Sequence, residues 1–172
     1  MPRSDARPDP YPRIVAEVMD ARHPDPLILM RAADAPRGRT GRDADYIVGA
    51  PYRGEYRLRG EVGWRSVTVP EGLITDLASV GPLGRILVGR VGSHLEAVIV
   101  HDYLYVAWQD FAGGDARAVD RAFADDLMRA VMRRGRVGPV KAGVIYRAVR
   151  LFGGAAYRKR DDRRYALRPA QT

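Results

Sequence analysis

The spacing of apolar positions changes period once along the chain. Up to residue 69 they come in short runs, at 14–19 (IVAEVM), 27–30 (LILM), 46–48, 55–58 and 66–69. Tyr56 and Leu58, then Val67 and Val69, alternate with polar residues, the period-two pattern of a half-buried strand. Pro24 and Pro26 enforce a turn between the first two runs, and Gly54, Gly60 and Gly63 punctuate the later ones. These runs predict an antiparallel sheet. His23, in the first turn, is read as an exposed loop histidine, and the polar stretch 32–45 as a surface loop.

From residue 94 onward the period is helical. Residues 94–108 (HLEAVIVHDYLYVAW) have the length and apolar periodicity of a buried helix, with a His-Asp pair in the middle. On a repeat of about 3.6 residues, His94, Ala97 or Val98, His101, Tyr105 and Trp108 share one face, and Leu95, Ile99 and Asp102 lie about a quarter turn away. A second helix is expected from Ala116 to about Arg134, capped by Asp115. Its core stripe is Ala116, Val119, Phe123, Leu127 and Ala130 or Val131. Asp120 sits among these, whereas Asp125 and Asp126 are assigned to the wet side. A third helix, 140–151, is expected to turn Val144, Ile145, Ala148 and Leu151 inward and to end at Gly153-Gly154. The fold class is therefore α+β, an N-terminal antiparallel sheet followed by a C-terminal three-helix unit. One domain covers 13–154, with a flexible arm at 1–12 and a solvated mixed-charge tail at 155–172.

Composition narrows this picture only modestly. A chain of 172 residues with 46% hydrophobic and 29% charged residues suits one ordinary globular domain. No apolar run approaches a membrane span, and MPRSDARPDPYPR lacks the apolar core of a signal peptide, so synthesis and folding in the cytoplasm are expected. Without cysteine there are neither disulfides nor thiolate chemistry. The net charge is +8, and Lys141 and Lys159 are the only lysines among 29 basic residues. Arginine pairs bidentately with phosphate or carboxylate, which admits nucleic acid, anionic lipid or an acidic protein as partner. A GC-rich genome produces the same bias, and the even scatter of the arginines fits that origin.

Candidate chemistry follows from the cost of burying His101 and Asp102 without partners. Two stretches can supply them: Thr75-Asp76-Leu77-Ala78-Ser79 upstream and Asp120 downstream. If the first two helices fold back on each other, Asp120 can accept the His101 ring N–H and fix its tautomer, leaving the other nitrogen to deprotonate water. Tyr105, one turn on, can bond Asp120. Asp102, Asp76 and the Leu77 carbonyl form an oxygen set suited to a hard cation such as Ca2+, which would polarise an ester or amide carbonyl. The same residues also fit two plainer readings: a closed polar network joining two helices, and a helix cap at Thr75 and Asp76. His94 is either a second metal ligand with His101 or an exposed helix end.

The order VPEGLITDLASV, AVIVHDYLY, AVDRAF and IYRAVRLFGG resembles a family found in phage and prophage genomes, domain of unknown function 1353, over about residues 55–154. Val80-Gly81-Pro82 departs from its usual run of serine into a proline turn. This resemblance implies phage association rather than a chemistry. HDYLY followed by VDRAF is also similar to the active-site helices of prokaryotic phospholipase A-two enzymes, although their cysteines and secretion signal are absent here. That likeness implies His101 as base, Asp120 as its orienting partner, and Asp102 with Asp76 and the Leu77 carbonyl as calcium ligands. Three functions are thus expected candidates: a metal-assisted hydrolase of lipid or cell-envelope esters or amides; a virion- or tail-associated structural protein that binds other phage proteins; and an arginine-mediated nucleic-acid binder. The protein would be made in the bacterial host's cytoplasm and, on the second reading, assembled into a virion.

Overall fold

Strand alternation places Tyr52, Gly54, Tyr56 and Leu58 on the buried side of the longest strand, and Val67 and Val69 on the same side of its neighbour. In the computed structural model, which describes residues 7–31, 46–75, 94–111, 113–161 and 164–166, six strands precede three helices. The strands are β1 (Val18–Arg22), β2 (Leu29–Arg31), β3 (Tyr46–Val48), β4 (Tyr52–Leu58), β5 (Arg65–Val69) and β6 (Ile74–Thr75). They form two antiparallel sheets rather than the single one expected, ordered β1-β4-β5 and β2-β3-β6. The switch lies between β3 and β4, where Pro51 has no N–H to extend a ladder. Val48 instead exchanges backbone bonds with Leu73 and Gly72, at 2.9 and 2.8 Å.

The helices are α1 (His94–Val106), continued by a 3-10 turn at Ala107–Gln109, then α2 (Ala118–Arg134) and α3 (Pro139–Arg158). α1 is apolar all round and buried from Ala97 to Tyr105, as a central helix must be. α2 is the middle of the unit, packed on α1, α3 and β1. Its start lies two residues later than expected. Asp115 accepts from the adjacent Ala116 N–H at 2.8 Å, and Arg117 takes the cap position without a side-chain bond.

α3 opens on Pro139, whose missing N–H costs nothing in the first turn, and runs through Gly153-Gly154 to Arg158. The expectation that this pair ends the helix is therefore corrected. A Cβ on Gly153 would stand 2.4 Å from the Tyr105 hydroxyl, so glycine there serves the approach of α3 to α1. The inward row is Ala142, Ile145, Val149 and Tyr157. Val144 and Leu151, expected inside, are exposed. Described residues from the stretches expected as an arm and a tail contact the core. Tyr11 is buried with its hydroxyl on the Leu104 carbonyl, and Ala166 and Arg164 exchange backbone bonds with Gly72 and Ile74.

Candidate functional site

Since α1 is buried on every side, its polar groups must find partners within the protein. His101 Nε2 lies 3.0 Å from Oδ1 of Asp125 on α2. Tyr105, one turn along α1, donates its hydroxyl to the same oxygen at 2.7 Å, and its ring lies 4.0 Å from the imidazole, centroid to centroid. Arg150 of α3 brings Nη1 to 3.5 Å from the other carboxylate oxygen. On the far side of α1, the Thr75 hydroxyl at the end of β6 donates to Asp102 Oδ2 at 2.5 Å. His101, Asp102 and Asp125 are 1%, 6% and 0% exposed.

With Nε2 committed to Asp125, Nδ1 is the nitrogen turned toward Asp102. It is buried, makes no hydrogen bond within the structure described, and lies 4.0 Å from Asp102 Oδ1. Burial by itself pushes the imidazole down, but the carboxylates of Asp102 and Asp125 outweigh it and hold His101 above its ordinary value. Burial, reinforced by the Asp125 carboxylate, pushes the Tyr105 phenol far up, so it remains a donor.

Of the residues expected to share the site, His101, Tyr105 and Asp102 are together and Asp120 is elsewhere. Asp120 is buried at the first turn of α2 in an ion pair with Arg117, 2.7 Å from Nη2. Burial raises its carboxyl above the usual range, although Arg117 pulls the other way. The carboxylate behind His101 is that of Asp125, which had been assigned to the wet side. α2 is packed on two sides, so far more of its circumference is buried than one stripe accounts for. Asp125 does lie on a legible row, three and seven residues before the buried Met128 and Met132. Asp126, its neighbour, faces outward enough to accept from the Tyr146 hydroxyl at 2.7 Å.

Asp76 and Leu77 lie outside the described residues, as does the side chain of His94. Among the described residues, no group of three or more His, Cys, Asp or Glu side chains is arranged to hold a metal. His23 is not an exposed loop histidine. It is half-buried, stacked on Tyr52 at 5.5 Å, and burial pushes its pKa down to about 4. Two supports of the site, Arg150 and Gly153, were not anticipated. Gly153 falls on the inward row of α3, four residues from both Val149 and Tyr157.

No curated protein and no solved structure matches the chain. One family model does match, described as a protein of unknown function (DUF1353), over residues 53–149. That span is more than half of the chain and contains Thr75, His101, Asp102, Tyr105, Asp120 and Asp125, while β1 to β3 and Gly153 fall outside it. The chain therefore belongs to the DUF1353 family.

Proposed function

We propose that the chain is a hydrolase of ester or amide bonds, with His101 as general base and Asp125 as its orienting partner. The observation that carries this reading is the division of the imidazole: Nε2 bound to a carboxylate that Tyr105 also bonds, and Nδ1 facing Asp102 at 4.0 Å with no hydrogen-bond partner among the described residues. The Asp125 bond selects the tautomer with the proton on Nε2 and the lone pair on Nδ1. That lone pair takes a proton from water as the oxygen attacks the carbonyl carbon. The resulting imidazolium is held by Asp125 and by Asp102 at 4.0 Å, and returns its proton to the departing alcohol or amine. Acid and alcohol, or acid and amine, are the products.

The substrate class proposed is lipid or cell-envelope esters, on the HDYLY part of the likeness to phospholipase A-two enzymes alone, since Asp125 rather than Asp120 of VDRAF stands behind His101. The same likeness supports Ca2+ beside Asp102, a hard oxygen ligand of the right chemistry, with Asp76 and the Leu77 carbonyl as further ligands. When bound, such an ion would polarise the carbonyl. The test is hydrolysis of a short-chain ester and of phospholipid vesicles. His101→Asn and Asp125→Asn should each lower the rate by about two to four orders of magnitude with the fold retained. Full activity in His101→Asn would overturn the reading. Calorimetric calcium titration of Asp102→Asn against the parent chain tests the ion separately.

The near-complete burial of His101, Asp102 and Asp125 favours a second reading, a structural module of a phage particle in which the network only joins α1 to α2. On that reading His101→Asn lowers stability, no hydrolysis is found, and purified particles contain the polypeptide by mass spectrometry. Absence of the chain from the particles would sink it.

A further inference from the structure

α3 is apolar on both sides. Its inward row meets the core, yet Val140, Val144 and Leu151 on the opposite side are 80%, 51% and 75% exposed, and Phe152, between the two rows, is 79% exposed. Val140, Val144 and Leu151 stand four and seven residues apart, which sets them in one stripe along the helix, interrupted by Arg147, with Phe152 about a quarter turn away. Monomeric soluble proteins seldom leave such a row open without using it. The helix holds Lys141, Arg147, Arg150 and Arg158 and no acidic residue. Arg147 and Arg158 are exposed on the same side as the stripe. Arg133, Arg134 and Arg136 precede the helix, and Lys159 and Arg160 follow it.

We propose that this face of α3 seats the protein on an anionic lipid bilayer, lying in the interface with Val140, Val144, Leu151 and Phe152 in the acyl boundary. Arg147 and Arg158, which fall within the stripe, and the basic side chains at its ends would extend along its surface to the headgroups. Charge complementarity selects this occupant. A second copy of the chain would bring a like-charged helix, and the helix has no acidic residue of its own to pair with it. Duplex nucleic acid would satisfy the arginines and leave the apolar stripe in water. A bilayer of negative headgroups answers both features at once. The inference does not depend on hydrolysis, since the stripe lies on the side of α3 turned away from Gly153 and Tyr105.

The experiment is co-sedimentation of the full chain with vesicles of phosphatidylglycerol and phosphatidylcholine, compared with phosphatidylcholine alone. Binding is expected to the anionic vesicles, weakened about tenfold or more by Leu151→Ser with Phe152→Ser, and comparably by Arg147→Glu with Arg158→Glu. Thermal unfolding of these surface variants should match that of the parent chain. A Phe152→Trp variant should shift its fluorescence to the blue on the anionic vesicles. Three results would overturn the proposal. One is no binding to phosphatidylglycerol vesicles. Another is binding abolished by salt but indifferent to the serine variants, which reduces it to general arginine attraction. The third is a dimer in sedimentation equilibrium that the serine variants dissociate, which makes a second copy the occupant.

Discussion

Asp125 is the residue on which three elements converge. It accepts from His101 and Tyr105 of α1 on one oxygen and faces Arg150 of α3 with the other. Tyr105 reaches it only because Gly153 leaves room for the phenol. Gly153→Ala should therefore cost about 1–3 kcal/mol by overpacking. Tyr105→Phe, which removes the crowded oxygen, should cost about 1–2 kcal/mol alone through the lost hydrogen bond. The two losses should fall short of additive in the double variant, and denaturant unfolding of the four chains measures the coupling. His101 predicts a pH dependence. Its folded pKa is raised, so its stabilising contribution is complete below the ordinary imidazole value of about 6.5 and disappears as pH rises through the folded value. The stability gap between the parent chain and His101→Asn should be widest in mild acid and narrow with rising pH. On the proposed chemistry the hydrolysis rate should climb over that same interval, because only the neutral ring is a base.

Among the elements, α1 is held from both ends of its polar pair, by α2 through His101 and by β6 through Asp102. Thr75→Val keeps the shape of the side chain and removes its hydroxyl from a carboxylate 6% exposed. A loss of about 1–3 kcal/mol is expected, read by thermal unfolding. An unchanged midpoint would show that the bond between sheet and helix contributes nothing. Much at this scale was legible: the HDYLY helix, three helices in order, and strands at 46–48, 55–58 and 66–69, the last two of which begin at 52 and 65 in the structure. The miss at Gly153-Gly154 came from treating glycine as a terminator. A glycine on the inward row of an otherwise regular helix can equally signal close approach, and only the neighbour across the gap distinguishes these. The orientation of α3 failed for a related reason. Apolar residues lie on both of its faces, so periodicity alone could not say whether Ile145 or Leu151 meets the core.

For the whole molecule, the two ends of the described chain meet at Asp110, just past α1. Its carboxylate, 7% exposed, pairs with Arg164 at 2.8 Å and Arg7 at 3.6 Å and accepts the Tyr165 hydroxyl. Arg7 N–H also donates to the Asp110 carbonyl at 3.1 Å. Asp110→Ala would leave those partly exposed cations without their common partner and should cost about 1–3 kcal/mol through the lost charged hydrogen bonds. Limited proteolysis should then cut near both ends together, and cleavage at one end alone would refute the shared tie. Such a closure has no periodicity to announce it, since a charged tail that pairs and one that is solvated have the same composition.

What the chain determined by itself was local: which segments alternate, which are helical, and that a histidine and an aspartate inside an apolar helix require partners. It also singled out Thr75 and the helix after residue 115 as the places to look, because those stretches carry the polar groups near apolar runs. Tertiary structure decided which of several acidic side chains on that helix faces the ring. Asp120 and Asp125 point in different directions, and the choice depends on how a middle helix is rotated among its three neighbours. That rotation is set by the summed packing of α1, α3 and β1 on α2, a long-range balance that no single stretch of residues contains.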